Sequence, residues 1–439
     1  MKTQFQVVHP YAAGIDIGSE KVFVAVEDQS VKHFSTYTES YQNLVQYLIE
    51  NKVTTVAMEA TGVYWIPLYE ILEQAGIDPW LVNPSDVKRV PGRKSDVQDC
   101  QWILQLHTFG LLNRCYIPDD KIRILRSYVR LRDDHISMRA SHILHMHKAL
   151  DLMNIKLHNV ISQIDGVSSR RIVDAILSGE RDPEKMVQLC DKQILKRKRS
   201  QVLLSLEGNY RSEHIFALGQ AVDCYDFYQQ KIEECDFQIA QLLDEITRSM
   251  PKPENISKPK PTRHNQPEID NLHTLLLTMA SGNDASSISG LSDLSFMKLI
   301  AETGTDLKKH WESPKHFVSW LGLAPIKNSS GKSNRRSKKK FTTPAGQIFR
   351  LSAQSVGKSK NYALGAFYRR ISAKKGAPVA TKATARKLAV MYYNAMTKGL
   401  QYVEHGIEQY NKQYQETQLR ILMKKAKQFN FQLVPEPTA

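Results

Sequence analysis

The chain has 439 residues, of which 41% are hydrophobic, and it carries a formal net charge of +15 at pH 7. Its length exceeds one ordinary hydrophobic core, so we expect two or three domains, and the apolar fraction excludes a chain that is disordered throughout. The sequence has no apolar run long enough to span a membrane and no signal-peptide pattern, so we expect a cytoplasmic protein without a membrane partner. The positive charge favours a nucleic acid as partner.

The N-terminal region alternates between strand and helix signals. Strand signals fall on residues 14–18, 21–26, 53–58 and 80–82, and the first two predict a hairpin. Helix signals fall on residues 67–74 and on the segment that begins at residue 95. Strands that alternate with helices crossing between them are typical of an α/β domain. We therefore predict such a domain over residues 1–115.

The middle of the chain is predicted to be helical. Apolar residues recur at every seventh position in one segment, at Ile122, Val129, Ile136, Ile143 and Leu150, although Arg132 and Arg139 interrupt the companion positions. Residues 218–246 have an unbroken spacing of three and four residues, which is the seam of a coiled coil. Two interpretations remain open for residues 116–250. They form a coiled coil that joins subunits, or they form the two arms of a helical hairpin within one chain.

The rest of the chain begins with a basic, proline-rich stretch over residues 251–270, which predicts a linker and a domain boundary. Residues 271–405 predict a mainly helical domain, and residues 406–439 a polar C-terminal tail. Between Glu312 and Glu404 there is no Asp or Glu, whereas Lys and Arg are frequent. A solvated surface would mix both signs of charge, so this stretch favours the neutralisation of phosphates.

Four acidic residues of the predicted α/β domain fit one site. Asp16 follows a strand and Glu59 ends another, while Asp96 and Asp99 are three residues apart and share one face of a helix. If the two strands are neighbours and the helix crosses them, the four carboxylates converge. Such a cluster repels itself unless divalent cations occupy it. Two cations there could activate a nucleophile and stabilise the leaving oxygen of a phosphodiester.

Each of these residues also has an ordinary structural explanation. Asp16 could be a turn residue, Glu59 could cap a helix, and Asp96 and Asp99 could be acidic residues favoured at a helix N-terminus. The segment Asp16 to Ser19 also resembles the first phosphate loop of actin-like and sugar-kinase ATPases. Those proteins need a second Asp-x-Gly loop and a glycine-rich adenosine loop, and the sequence contains neither.

Two further groups of residues each have two interpretations. His135, His142, His145 and His147 alternate with arginines in the first long helix and indicate either a surface facing nucleic acid or ordinary solvated polarity. Aromatic residues among the C-terminal basic residues could stack on bases, but their helical spacing favours a position in the core. They are Tyr362, Phe367, Tyr368, Tyr392 and Tyr393.

Together the motifs resemble the insertion-sequence transposases with a RuvC-like DEDD domain, relatives of the Piv DNA invertases that are described as bridge-RNA-guided recombinases. In the N-terminal region the resemblance rests on the sequences at residues 14–18 (GIDIG), 58–62 (MEATG) and 94–99 (KSDVQD), with Tyr64, Trp65 and Pro67. In the C-terminal region it rests on residues 289–294 (SGLSDL), 299–304 (LIAETG), 320–325 (WLGLAP) and 330–332 (SGK). Residues 291–304 also resemble the helix-turn-helix segments that bind the DNA backbone.

The resemblance implies an RNase H-like (RuvC-like) N-terminal domain in which Asp16, Glu59, Asp96 and Asp99 bind Mg²⁺ or Mn²⁺. It also implies that Ser330 is a nucleophile that forms a covalent phosphoserine with DNA, with bound metal supplying the activation. Basic residues nearby would bind phosphates: Lys332, Arg335, Arg336, Lys338, Lys339 and Lys340. The family often has two glycines after its serine, whereas Lys332 follows Gly331 directly here, and Ser329 is an alternative nucleophile.

The implied activity is transposition by cutting and rejoining DNA at the ends of an insertion sequence. Its implied partners are the element ends and target DNA, a bridge RNA encoded by the element, and further copies of the chain in a homodimer or homotetramer at the bacterial nucleoid. One alternative is a RuvC-like nuclease that resolves junctions with metal and water alone, which would make Ser330 dispensable. Another is a non-catalytic nucleic-acid scaffold, which would make Asp16 and Glu59 dispensable.

Overall fold

The structure is a computed structural model that divides the chain into two compact units, residues 1–117 and residues 118–439. It describes residues 6–60, 62–87, 95–261, 265–325, 329–330, 333–334, 342–359 and 363–433, with the backbone alone at 329–330, 333–334, 363 and 402–411. Unit 1 holds a mixed α/β sheet, and unit 2 is mostly helical, in agreement with the predicted fold class at that level. None of the described helices combines the length and the apolar character that crossing a bilayer requires.

Unit 1 is built on a five-stranded sheet in the order β3-β2-β1-β4-β5. Its strands are β1 (Ala12–Ile17), β2 (Lys21–Val26), β3 (Lys32–Ser35), β4 (Thr55–Glu59) and β5 (Asp78–Val82). Strand β2 is antiparallel to both of its neighbours, β1 and β3, whereas β4 runs parallel to both β1 and β5. The predicted hairpin and the two further predicted strands are confirmed, and β3 is a strand that the sequence pattern did not indicate.

Helices cover both faces of this sheet. They are α1 (Thr38–Glu50), α2 (Trp65–Gln74), the short α3 (Pro84–Val87) and α4 (Asp96–Thr108). Side chains alternate along each strand, so Ile15, Val24 and Met58 face one side, where they pack in one core with residues of α1 and α2. Ala57 faces the other side and packs with Ile103 of α4. The helices at 67–74 and after residue 95 are confirmed, whereas α1 was not predicted.

Unit 2 begins with a long helix and continues through a succession of shorter ones. Its first six helices are α5 (Asp120–Leu152), α6 (Leu157–Val160), α7 (Val167–Leu177), α8 (Pro183–Val187), α9 (Lys192–Ser205) and α10 (Ser212–Thr247). The later elements are α11 (Leu272–Met279), a 3₁₀ turn (Ala285–Ser287), α12 (Asp293–Thr303), α13 (Leu307–His310), α14 (Pro314–Trp320), strands β6 (Ser329–Ser330) and β7 (Ser333–Asn334), α15 (Pro344–Lys358), α16 (Ala363–Lys375), α17 (Ala377–Lys398) and α18 (Leu400–Gln428).

Helices α5 and α10 pair within the chain as an antiparallel hairpin. Lys121 at the start of α5 contacts Glu245 at the end of α10, and Arg139 further along α5 contacts Gln229. The apolar seam of α10 is buried by the chain itself at Leu218, Ala221, Ile232, Cys235, Ile239 and Leu242. Of the two interpretations that the heptad spacing left open, the structure adopts the intramolecular hairpin.

The arginine that interrupts the heptad pattern of α5 is part of this hairpin's core. Arg132 is 1% exposed, and its Nε and Nη2 donate to the carboxylate of Asp236, which is 2% exposed, at 2.5 and 3.2 Å. Arg132 also donates to the carbonyl of Asn265, and the carboxylate of Asp236 accepts from the backbone N–H of Glu268. Such added hydrogen bonds are needed to offset the desolvation cost of burying the two charges. Arg132 is one of the arginines that alternate with the histidines of α5. Its guanidinium is inside the protein, so the interpretation as a surface facing nucleic acid is wrong for this residue.

The chain between the two arms of the hairpin forms a small helical group, α6 to α9, which shares one apolar core with the end of α5 and the start of α10. The proline-rich stretch after α10 was predicted to be a linker, and the structure packs it on unit 2. Lys260 donates to the carbonyls of Ser286 and Ser287 at 2.6 and 2.8 Å. Ser257 donates to Asp284 at 2.6 Å. These contacts are made with the 3₁₀ turn and with its N-cap residue Asp284, so the stretch is held in place although it has few apolar residues.

The C-terminal part of unit 2 has an aromatic core. Phe317 of α14, Phe349 of α15 and Tyr392 of α17 are fully buried and their rings contact one another. Tyr393 is buried as well, so the core position predicted for Tyr392 and Tyr393 is confirmed. Phe367 and Tyr368 are half-buried, and Tyr362 lies outside the described residues. Helix α12 of the helix-turn-helix-like segment also lies in this core along most of its length. Most side chains of α12 therefore pack inside unit 2, and binding of the DNA backbone by residues 291–304 through main-chain amides stays a prediction.

Candidate metal centre and serine segment

The first two candidate metal ligands lie side by side at one end of the unit 1 sheet. Parallel strands β1 and β4 are paired at Ile15 and Met58, and Asp16 and Glu59 are the next residue of each strand. Because side chains alternate along a strand, both carboxylates belong to the face of the sheet that α4 covers. Both are partly buried.

The other two candidate ligands lie in the first turn of α4. The hydroxyl of Ser95 caps this helix by accepting from the backbone N–H of Gln98, and Asp96 and Asp99 follow. A helix N-terminus favours negative charge, which lowers the cost of placing two carboxylates there. Asp96 is exposed and Asp99 is partly buried.

A glycine lets α4 lie close enough for these residues to meet. At Gly14 a Cβ would stand 2.3 Å from the carbonyl oxygen of Cys100 and 2.3 Å from the backbone nitrogen of Leu104. The backbone of α4 therefore crosses directly over β1, two residues before Asp16. Sequence reasoning did not assign this role, although a glycine inside a strand is a recognised sign of close backbone approach.

The electrostatics of Asp16 show that the four carboxylates lie near one another. Burial first, and then the negative charges of Asp96, Asp99 and Glu59, together raise the pKa of Asp16 to about 6. A hydrogen bond from the backbone N–H of Ile17 acts in the opposite direction. The raised pKa of Asp16 is consistent with the predicted convergence of the two strand ends and the helix.

The neighbouring thiol is not a reactive group. Cys100 is fully buried behind the carboxylates, and burial raises its pKa to about 12, with the charges of Asp16 and Asp99 contributing in the same direction. Its Sγ donates to the carbonyl of Val97 at 3.1 Å. A thiol with such a high pKa is protonated at neutral pH, so Cys100 is a buried packing residue of α4 and supplies neither a nucleophile nor a thiolate ligand.

The oxygen ligands of the four carboxylates are suited to a divalent cation, but their side chains are not arranged around one ion. Four carboxylates are hard oxygen ligands of the kind that Mg²⁺ and Mn²⁺ prefer, and their mutual repulsion would be relieved by a cation. Within the described part of the chain, however, no three acidic, His or Cys side chains stand in a group that could hold one ion. The residues are therefore neighbours without forming a closed coordination shell.

The predicted nucleophile lies in unit 2, in a short segment between α14 and α15. Its backbone forms strand β6, in which Ser329 pairs with Asn334 and Ser330 with Ser333 of β7. The segment is anchored on both sides by the aromatic core, through Phe317 of α14 and Phe349 of α15. Its side chains, including that of Ser330, lie outside the described residues. So do the predicted phosphate-binding residues Lys332, Arg335, Arg336, Lys338, Lys339 and Lys340.

One acidic residue of the C-terminal motif has a clear structural role. Glu302 of α12 is buried and accepts from Nε and Nη2 of Arg130 at 2.8 and 2.9 Å. Arg126 donates to the carbonyls of Ala301 and Glu302. Both arginines belong to α5, so the motif at residues 299–304 fastens α12 to the helical hairpin.

Comparison with known proteins agrees with both regions. Residues 13–155 match the family model of the IS110-type DEDD transposase, and residues 283–369 match the model of the IS116/IS110/IS902 transposase family. The chain carries both transposase domains of the IS110 family. The first match includes all four carboxylates, and the second includes Ser330. No curated protein matches the chain. The two matches support a DNA transposase or recombinase activity for this IS110-type protein and DNA as its partner.

Proposed function

We propose that this IS110-type transposase cuts and rejoins DNA with a divalent metal centre in unit 1 and a serine nucleophile in unit 2. Unit 1 would then be RNase H-like, with Asp16, Glu59, Asp96 and Asp99 as the metal ligands. The observation that carries this proposal is geometric: Asp16 and Glu59 follow the paired residues Ile15 and Met58 at the ends of β1 and β4, and α4, whose first turn holds Asp96 and Asp99, packs directly on β1 at Gly14. The raised pKa of Asp16 supports it. Strongly shifted carboxylates are concentrated at functional sites, since a merely structural cluster gains nothing from repulsion.

The four carboxylates would hold Mg²⁺ or Mn²⁺. When bound, such an ion supplies charge neutralisation at a phosphodiester and lowers the pKa of a hydroxyl. The protein contributes the fixed sheet end that orients Asp16 and Glu59, and the first turn of α4 that brings Asp96 and Asp99 to them. Because Gly14 has no Cβ, the backbone of this helix can pack directly on β1 beside Asp16.

Ser330 would supply the nucleophile, with Ser329 as the alternative. Its Oγ would form a bond to the phosphorus of a DNA phosphodiester while the bond from phosphorus to one deoxyribose oxygen breaks. The serine proton leaves, and the departing oxygen takes up a proton. The phosphoserine ester keeps the energy of the broken bond, so that a hydroxyl of another strand can reverse the step and join the strands. Lys332, Arg335, Arg336, Lys338, Lys339 and Lys340 would neutralise the phosphates nearby.

Guidance by an element-encoded bridge RNA and assembly as a homodimer or homotetramer belong to the same proposal, and they are supported by the family resemblance. The net charge of +15 is compatible with binding both RNA and DNA.

The decisive experiment looks for the covalent intermediate. Purified protein is incubated with Mg²⁺ and a plasmid that carries the coding segment with its flanking DNA, and RNA that copurifies is sequenced and added back. We expect a protein–DNA adduct whose mass maps to the peptide containing Ser330. Ser330→Ala should abolish the adduct and strand exchange, while Ser333→Ala serves as the matched control in the paired strand.

The possible results separate the alternatives. Strand cleavage that persists in Ser330→Ala would contradict the serine mechanism and support a nuclease that uses metal and water. Full strand exchange by Asp16→Ala and Glu59→Ala would contradict the metal centre and support a non-catalytic scaffold. An adduct that is lost in Ser329→Ala but still forms in Ser330→Ala would identify Ser329 as the nucleophile and overturn the role given to Ser330.

A further inference from the structure

Unit 2 contains a cavity of about 700 Å³ between α15, α16 and α17, away from the serine segment in sequence. It is lined by Gln347, Arg350, Gln354 and Lys358 of α15, by Tyr368 of α16, and by the first turns of α17 with Lys382. Neither the motifs nor the proposed reaction uses any of these side chains. A cavity of this size accommodates a group as large as a nucleotide.

The cavity concentrates positive charge without compensation. Arg350, Lys358 and Lys382 line it, and no acidic residue is among the described residues around it. The sequence supplies none nearby either, because it has no Asp or Glu between Glu312 and Glu404. Burial lowers the pKa of Lys382, and the charge of Arg350 lowers it further. Two cations that repel each other in a partly buried place are stabilised by an anion, and phosphate is the anion that a DNA-binding protein meets.

The face of α15 that lines the cavity follows from its sequence. Residues 347, 350, 354 and 358 are spaced by three and four, so they form one stripe of the helix. The opposite stripe, with Phe349, Ala353 and Val356, is buried in the core. The exposed stripe therefore alternates amides with cations. Gln is a side chain that pairs with base edges, and Arg and Lys bind phosphates.

An aromatic ring forms a rigid wall of the cavity. A Cβ at Gly357 would stand 2.6 Å from Cδ1 of Tyr368, so the ring lies directly on the backbone of α15. The hydroxyl of Tyr368 is 3.3 Å from Oγ1 of Thr381, which fixes its orientation from the side of α17. A fixed ring beside cations and amides can stack on an unpaired base, whereas the bases of a duplex are already stacked on one another.

We infer that this cavity binds one unpaired nucleotide of a single DNA strand. Its phosphate lies between Arg350 and Lys382, its base lies against Tyr368, and Gln354 or Gln347 contacts the base edge. The inference rests on the proposed function in one respect, that the strand belongs to the DNA on which the protein acts.

The test measures binding without cleavage. The full chain, in EDTA, is titrated into a fluorescein-labelled mixed-sequence DNA single strand at several salt concentrations, and the same is done with the duplex and with an RNA strand of that sequence. The double variant Arg350→Gln/Lys382→Gln should weaken single-strand binding about tenfold or more. The slope of log affinity against log salt should become less steep by about 0.7, which is the value for one lost phosphate contact on a single strand.

Matched variants distinguish a specific cavity from general charge. Lys424→Gln removes one positive charge from exposed α18, outside the acid-free stretch, and should leave both affinity and slope within error. Arg350→Lys/Lys382→Arg keeps the charges and should keep the slope. Gln354→Ala should change the base dependence and leave the slope unchanged. The double variant should unfold at the same or a higher temperature than the wild type, because it removes a repulsion.

Other results would overturn the inference. An equal loss on duplex DNA, a larger loss on RNA, or a loss no greater than that of Lys424→Gln would each exclude an unpaired DNA nucleotide as the ligand. Because no metal or strand exchange is needed, failure here would leave the serine adduct intact, and absence of the adduct would leave this binding intact.

Discussion

The helical hairpin of unit 2 and the end of the unit 1 sheet hold buried charge in opposite ways. In the hairpin, Arg132 and Asp236 are almost fully buried and satisfy each other with two hydrogen bonds. At the end of the sheet, Asp16 is partly buried beside three carboxylates of the same sign, and its pKa rises to about 6. The first arrangement pairs opposite charges within the fold, and the second gathers charges of the same sign.

The difference teaches how to separate structural from functional charge in this molecule. A compensated pair stabilises a unique packing and is complete without a ligand. A cluster of like charges lowers the stability of the folded state and persists where something outside the chain compensates it. The cavity lined by Arg350 and Lys382 is the positive counterpart of the carboxylate cluster. The predictions below test this comparison, from the largest expected change in stability to the smallest.

Removing one partner of the buried pair should have the largest effect. Asp236→Asn leaves the Arg132 guanidinium buried without its counter-charge and should lower the free energy of unfolding by roughly 3–5 kcal/mol. Asp174→Asn is the matched control, because Asp174 pairs with Arg170 while about half of its side chain is exposed, and its loss should cost about 1 kcal/mol or less. Urea denaturation followed by circular dichroism measures both. Equal losses would contradict the structural role given to the buried pair.

The packing that brings α4 over the sheet should also be sensitive. Gly14→Ala places a methyl group 2.3 Å from backbone atoms of α4, so the helix must shift, and we expect a loss of roughly 1–3 kcal/mol. Gly219→Ala makes the same change inside α10, where the new Cβ meets only ordinary contacts. That variant should stabilise the protein by about 0.5–1 kcal/mol through helix propensity. Stability measured by urea denaturation should therefore change in opposite directions, and a neutral Gly14→Ala would contradict the close crossing.

Much of unit 1 could be predicted from its sequence because short apolar runs and turn signals are local. The carboxylate site was predicted only conditionally, since nothing in the sequence states that β1 and β4 are neighbours. Helix α1 has apolar residues at positions 41, 44, 45 and 48, a helical spacing that could have been recognised. Strand β3 is short and mostly polar, and it exists because it pairs with β2.

The charges of unit 2 were harder to interpret for a physical reason. Arg132 interrupts an apolar repeat, and a sequence cannot tell whether such a residue points outward or pairs inside, because its partner Asp236 is distant in the chain. The coiled-coil spacing likewise fits an intermolecular and an intramolecular partner equally well. Only the folded chain shows that α5 and α10 bury each other's seam.

The carboxylate cluster makes a prediction about pH. The folded-state pKa of Asp16 is raised from 3.8 to about 6, so between these values the folded protein holds a proton that the unfolded chain has released. Stability should therefore fall as pH rises through this window and remain lower above it. In EDTA at pH 7, Asp16→Asn should be more stable than the wild type by roughly 1–3 kcal/mol. Urea titrations at pH 4 to 8 measure this, and a less stable Asp16→Asn at pH 7 would contradict the raised pKa.

The central claim is that the four carboxylates of unit 1 act together as one divalent cation site, and thermal unfolding with and without Mn²⁺ tests it most directly. At about 100 times the Kd, bound metal should stabilise the wild type by about 2.7 kcal/mol. Glu70→Gln removes an exposed carboxylate on α2, the helix on the other face of the sheet, and should respond like the wild type. Asp16→Asn and Glu59→Gln should lose most of the response. An equal rise in unfolding temperature in all four proteins would contradict the claim.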